Sequence, residues 1–204
     1  MSLWRQIIES RFADVHDSFE DKCLSLSDAV ARFVRPGMKL NPCSLQARPV
    51  AAVYELCRQF AGKQPGFEFI SSSLSGNYLQ LVHLGLLRRA IVSFAGEGYP
   101  TPGPSPVTAR ALARGDLTLE NWTMLTISQR LLAGALGVPF MPTRSIAGSS
   151  LAEELKATGG FAELSDPFHP GVTQGVVQAY QPDVSFVHAW AADRAGNAVC
   201  FPPY

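Results

Sequence analysis

Three short apolar runs, MKLN (38–41), FEFI (67–70) and AIVSF (90–94), alternate with segments patterned as helices. That alternation constrains the fold more than any other feature of the chain. Short strands that are apolar on both faces need helices over both sides of their sheet. Parallel neighbours cannot be joined by a tight turn, so each connection must be a crossover. The expected fold is α/β: a mostly parallel sheet flanked by helices on both faces, in a Rossmann-like open αβα arrangement. Ligands of such sheets sit beyond the carboxyl ends of the strands. The loops of interest are therefore 41–48, 71–77, 95–105, 143–150 and 191–197.

The helix signals are local. Ser25 stands three residues before Asp28 as a capping box, and Ala29, Val30, Phe33 and Val34 follow at helical spacing until Pro36-Gly37. Pro49 opens a helix that runs to Phe60 and stops at Gly62. YLQLVHLGLL reads as a short apolar helix, VTARALARGD as a polar one, and NWTMLTISQRLLAGALGV as a long apolar helix sandwiched between other elements. AGEGYPTPGPSP is too long for a mere connector. PFMPTRSIAGSSL reads as a loop around a short extended piece, and GVVQAY and VSFVHAW as late strands. Val184–Trp190 is expected to be a buried strand. The turn 191–197 then leads to a short returning strand, Ala198–Phe201. Residues 1–24 form a polar amphipathic arm, so the domain proper is 25–204.

Composition narrows the function classes. With 204 residues, 47% hydrophobic and only 17% charged, the chain can bury one sizeable core. Its 17 Lys and Arg balance 17 Asp and Glu, which leaves no electrostatic case for nucleic acid or an anionic membrane. So weakly charged a surface is expected to be covered by a partner, which makes the protein an oligomer. Charges run throughout the N-terminal residues and no apolar stretch approaches the ~20 residues that cross a bilayer, so the expected location is cytoplasmic. Cys23, Cys43, Cys57 and Cys200 show neither CxxC spacing nor a histidine at ligand spacing; they read as thiols, and no metal site is expected.

Candidate chemistry gathers in the loops. NPCSLQARP follows the first strand and leads into the Pro49 helix, whose free N–H groups can hold a carboxylate or an oxyanion. Arg48 adds charge there, and Cys43 or Ser44 can donate hydrogen bonds. SSSLSGN after the second strand offers Ser71, Ser72, Ser73, Ser75 and Asn77. Glu97 lies between two glycines beyond the third strand, where a carboxylate can act as nucleophile or base, or simply be solvated. His188 reads as a core histidine, and GSS (148–150) as a helix cap. The G-x-S-x-G, GxGxxG and P-loop patterns are absent, so these residues alone name no reaction.

Read in order, SLSDAVARFVRPGMKL, RPVAAVYELCRQ, GLLRRAIVSF, LGVPFMPTRSIAGSSL and QPDVSFVHAWAADRAGNA resemble the alpha-type subunit of family I coenzyme A transferases, above all the glutaconate branch. The resemblance implies an enzyme that moves CoA between an acyl-CoA and a carboxylic acid. A beta-type partner would carry the nucleophilic glutamate, with acyl-CoA as substrate. Glu97-Gly98 echoes the context of that glutamate but falls on the wrong strand for it. Ser44, Gln46 and Arg48, beside Ser72, Ser73 and Asn77, would form the acid-binding wall. Gly196 and Asn197 would make the tight turn of a hairpin near the active site, both by tolerating positive φ. Two departures stand out. The first loop carries Asn41-Pro42-Cys43-Ser44-Leu45 where the family pattern has Gly-Gly-Phe, and Pro42 has no N–H to give an oxyanion. Relatives are also expected to continue past the hairpin, so the reading is of a chain either cut short or naturally shortened at its C terminus. The alternatives within this reading are one chain of a ring-opening CoA-thioester hydrolase, or a structural or ligand-sensing subunit without catalysis. Thiol titration of the chain, denatured without reductant, should find all four cysteines; a stable disulfide at Cys43 would overturn the reducing-compartment reading.

Overall fold

The computed structural model describes residues 21–43, 48–98 and 102–200; the arm at residues 1–20 lies outside them. Helix α1 (Leu26–Phe33) begins as the capping box requires, with the Ser25 Oγ accepting from the Asp28 N–H at 3.1 Å and donating to its carboxylate at 2.6 Å. There follow β1 (Lys39–Asn41), α2 (Val50–Phe60), β2 (Phe67–Ile70), β3 (Ser73–Leu74), a 3-10 turn (Gly76–Tyr78), α3 (Leu79–His83) and β4 (Leu87–Val92). Next come β5 (Phe94–Ala95), α4 (Pro106–Arg114), β6 (Thr118–Asn121), α5 (Met124–Leu136), β7 (Phe140–Thr143) and α6 (Ser150–Ala157). The described chain closes with β8 (Phe161–Ser165), β9 (Thr173–Gln178), β10 (Val184–Ser185), β11 (Ala191–Ala192) and β12 (Ala198–Val199).

The central sheet is parallel throughout, in the order β10-β1-β2-β4-β6. Its pleat sorts side chains strictly by position. Phe67, Phe69, Ala90 and Val92 face one side, where Val30 of α1, Val53 and Leu56 of α2, and Leu81 and Val82 of α3 cover them. Ile70 and Ile91 face the other side and meet Ile127 of α5, Ala152 and Leu155 of α6, and Val177 of β9. Helices thus lie on both faces, as the alternation requires. A second, antiparallel sheet of order β7-β9-β8 packs on the α5 side.

Several sequence expectations are corrected. TLEN (118–121) and FAELS (161–165) are strands that the pattern did not show, and Leu87 belongs to β4 rather than to a helix. Val184–Trp190 is not one buried strand: β10 holds only Val184 and Ser185 and pairs only with the three-residue β1. After the bond from the Phe186 N–H to the Asn41 carbonyl, no strand of the central sheet pairs with the run among the described residues, and Val187 is 62% exposed and Trp190 53%. His188 is exposed with them rather than set in the core. Finally, α5 is covered on one side only; Leu125, Leu132 and Leu136 face outward.

What ties the two sheets together is charge. Glu68 and Glu120 sit on the same face of the central sheet, on either side of Arg89 in β4, and both are buried. Arg89 pairs with Glu120 and lies 3.7 Å from Glu68, while Arg88 bonds Glu68 at 2.5 Å. Arg130 of α5, 3% exposed, donates to Glu120 at 3.2 Å and to the Gln178 carbonyl of β9 at 3.0 Å. Its guanidinium lies 4.2 Å from the ring centre of Trp122, whose indole N–H donates to Glu120 at 2.5 Å. The Tyr180 hydroxyl, just past β9, donates to Glu68 at 3.3 Å. This requires close packing at Gly134, where a Cβ would stand 2.3 Å from the Tyr180 carbonyl oxygen.

Burial alone pushes the Glu120 carboxyl up, but bonds from Arg89 and Trp122 and the charges of Arg89 and Arg130 outweigh it and hold it below the ordinary 4.5. A carboxyl with a lowered folded value stabilises the fold above its unfolded value and loses that contribution as pH falls. Stability should therefore decline below pH 4.5, with a smaller share lost in Glu120→Gln. Arg130→Met, which leaves Glu120 short of a partner, should lower the unfolding free energy by ~3–5 kcal/mol. Urea melts across pH measure both.

Candidate functional site

The loops after β1, β2 and β4 meet at the carboxyl edge of the central sheet, and a phenol fixes the first to the second. The Tyr78 hydroxyl lies 2.6 Å from the Pro42 carbonyl and 2.8 Å from that of Cys43, sharing its proton between them. Tyr78 is fully buried, with its ring edge-on to Phe69 at 5.2 Å. Burial pushes its hydroxyl up to about 12, so it remains a donor. The Ser71 Oγ adds a longer contact to the Cys43 carbonyl at 3.4 Å. Cys43 itself adopts φ +40°, the left-handed region that favours glycine. The loop thus keeps a glycine-like backbone without a glycine.

Arg48 reaches from the start of α2 into the second loop. One Nη donates to the Ser75 carbonyl at 2.9 Å; the other donates to the Ser75 Oγ at 3.0 Å and the Ser73 Oγ at 3.3 Å. Its guanidinium lies 4.9 Å from the ring centre of Tyr78. The arginine fork is thus engaged with the serine loop. Ser72 turns inward: its Oγ is buried and meets no partner among the described residues. Its carbonyl accepts from the N–H and the Oγ of Ser93 at 3.2 and 2.6 Å, which ties the second loop to the third. The Asn77 amide donates to the Tyr54 hydroxyl at 2.8 Å. Ser44 and Gln46 lie outside the described residues. Of the expected wall, Arg48 and Ser73 touch directly, with Asn77 on the same loop. Tyr54 and Tyr78 were not read from the sequence. Tyr78 had one signal, a hydroxyl placed directly behind SSSLSGN.

Glu97 is held by its main chain, which exchanges hydrogen bonds with Gly103 at 2.9 and 3.0 Å and pinches the third loop. The late hairpin leaves the same edge beside β1. β11 and β12 pair antiparallel around Gly196 at φ +91°. Asn197 does not share that conformation, a correction to its expected part. Its side-chain amide and its N–H each donate to the Asp193 carboxylate at 2.8 Å and hold that carboxyl below its usual range. Among the described residues, no group of three or more His, Cys, Asp or Glu is placed to hold a metal ion.

A family model described as Coenzyme A transferase matches residues 23–201, a span that contains every described strand and all three loops. The chain belongs to the coenzyme A transferase family. It is 28% identical over 190 residues to the A chain of glutaconate CoA-transferase from Acidaminococcus fermentans, covering 86% of this chain and 58% of that one. A crystal structure of glutaconate coenzyme A-transferase from the same organism superimposes with a TM-score of 0.74 at 25% identity, over 87% of this chain and 59% of the other. A variant of the decarboxylase AibA/AibB gives a TM-score of 0.73 at 32% identity, over 86% and 64% of the two chains. The chain spans about three fifths of the length of these relatives. As in an alpha-type coenzyme A transferase chain, the fold is α/β around a parallel sheet. Tyr78→Phe should cost this family member about 1 kcal/mol in a urea melt, the worth of one hydrogen bond. It should also speed amide exchange in the 42–48 loop, read by mass spectrometry.

Proposed function

We propose that this chain is the alpha-type half of an enzyme that moves CoA between an acyl-CoA and a small carboxylic acid. Family membership together with the joined loops at the carboxyl edge carries the reading. A beta-type partner supplies the glutamate that attacks the thioester carbonyl and then carries CoA as a glutamyl thioester. This chain supplies the wall against which the acid rests. Ser73 and Asn77 present polar groups from the second loop, with Ser72 behind them, and the resemblance assigns Ser44 and Gln46 of the first loop to the same wall. Arg48 holds the second loop in shape and lends a fixed positive charge beside the start of α2, where a carboxylate is favoured. Glu97, held at the neck of the third loop, is not assigned the nucleophile's role. The outward leucines of α5 support a partner chain, since apolar patches of that kind mark interaction surfaces. The reducing interior of the cell suits the four thiols, among which no disulfide is formed.

A second reading keeps the CoA thioester but changes the reaction. It is supported by the decarboxylase neighbour, which is more similar in sequence than the transferase structure, 32% against 25%. The first loop, where Pro42 lacks an N–H, departs from the transferase pattern, and that departure keeps a ring-opening CoA-thioester hydrolase as the other alternative.

Co-expression with a beta-type chain and incubation with acyl-CoA, with and without an acceptor acid, separates the cases. Transfer that depends on the acceptor supports the proposal; free CoA without acceptor means hydrolysis, and carbon dioxide with an intact thioester means decarboxylation. In the complex, Arg48→Ala should weaken acid binding by ~1 kcal/mol or more, because it removes the fixed charge and releases the loop that carries Ser73 and Ser75. Arg48→Lys should restore part of it, because lysine keeps the charge and loses the fork. Unchanged turnover in both Arg48→Ala and Ser44→Ala, with the partner retained, would favour a non-catalytic subunit.

A further inference from the structure

One long stretch of the surface carries no charge. From Met124 to Thr143, along α5 and into β7, the single ionisable side chain is Arg130, and it is buried in the ionic layer. Leu125, Leu132 and Leu136 recur at helical spacing down the outward side of α5, with Met124 at its start. Gly137, at φ +70°, turns the chain back, and Val138 and Phe140 carry the apolar surface into β7. The Gln129 amide donates to the Pro142 carbonyl at 3.2 Å, so the stripe lies directly beside that strand. Ser128, in the middle of the stripe, gives its proton to the Met124 carbonyl of its own helix at 3.0 Å.

The patch is large for a surface left in water. Its six apolar residues, Met124, Leu125, Leu132, Leu136, Val138 and Phe140, are each 40–63% exposed. Together they leave on the order of 600 Å² open, as much as the largest apolar patch of a typical monomer. Two such patches face to face cover about 1,200 Å², the size at which specific, stable interfaces begin.

The patch is also set apart from the candidate site. Tyr78, with Arg48 over its ring, packs in the core on the α2 side, whereas α5 packs on Ile70 and Ile91 from the opposite face of the sheet. A chain that brings a glutamate to Arg48 and Ser73 therefore approaches from elsewhere. A different partner is ordinarily selected by complementary charge, and this face offers none. A second copy needs none. Across a twofold axis any charge near the axis would meet its like, and here there is no charge to repel. We infer that this surface joins two copies of the chain, with their α5 helices antiparallel across a twofold axis. Met124 and Leu125 of one copy then meet Leu136 of the other, and Leu132 lies near the axis beside its own counterpart. The contact does not use the carboxyl edges, and it does not rest on which reaction is run there.

Sedimentation of the full chain tests it. At about 10 μM the chain should run as a dimer, and Leu132→Glu should raise the dissociation constant at least about a hundredfold by setting two carboxylates together at the axis. Leu132→Lys should do the same. An equimolar mixture of the two variants should recover the dimer, because the residue meets its own counterpart. Leu132 faces outward, so the circular dichroism of both variants should match wild type. Phe168→Glu, which changes an 85% exposed residue between β8 and β9, should stay dimeric. A monomeric wild type, a dimer that survives both Leu132 variants, or one lost in Phe168→Glu would overturn the contact. A mixture that stays monomeric would overturn the twofold arrangement. A monomer whose uptake of a beta-type chain is blocked by Leu132→Glu would give the surface to that chain instead.

Discussion

The buried pairing of Arg130 with Glu120 holds this architecture together. Two sheets of different kinds must share one core, and apolar packing alone does not fix how they sit. Charges do, because a guanidinium removed from water tolerates few positions. Arg130 satisfies its needs in three directions: a carboxylate on β6, a carbonyl at the end of β9, and the face of Trp122. A small slip of α5 would leave buried charges unpaired, at a cost of several kcal/mol. Glu68 repeats the device two strands away, through Arg89 and the Tyr180 hydroxyl. The ionic layer therefore acts as a register mark between the sheets.

That layer also explains which parts of the fold could be read from the sequence. Interior strands such as FEFI and AIVSF announce themselves because both faces are covered, and α1 and α2 carry plain start and stop residues. β6 and β8 are edge strands of their sheets and show mostly polar residues, so TLEN and FAELS lack an apolar pattern. The opposite error occurs at 184–190, where an apolar run has too little neighbouring strand to pair with. Hydrophobicity there reports a surface rather than a core. Glu68 sits in the middle of an apolar strand, and only its partners from distant segments account for it.

The candidate site was legible in its loops and less so in its contacts. Position after a strand was enough to single out Arg48, Ser72, Ser73 and Asn77. It could not show that the Arg48 fork closes on Ser73 and Ser75, because that needs the two loops in space. Tyr78 escaped for a different reason. In a helical pattern a tyrosine counts as apolar, and its ring does pack as one; only the hydroxyl reaches back to Pro42 and Cys43. An amphipathic side chain carries two messages, and periodicity reads only the first.

The pairing of β10 with β1 sets an order of assembly. The Lys39 N–H donates to the Asp183 carboxylate at 2.7 Å across a separation of 144 residues. By contrast, β2, β4 and β6 are joined by short crossovers and can meet while the chain is still growing. Closing so long a loop carries the largest entropic cost in the sheet and is a slow kind of step. One edge of β1 therefore has no strand partner until the segment around Asp183 has been made. That segment also leads into the hairpin beside the candidate site, so the central sheet and the site are completed together.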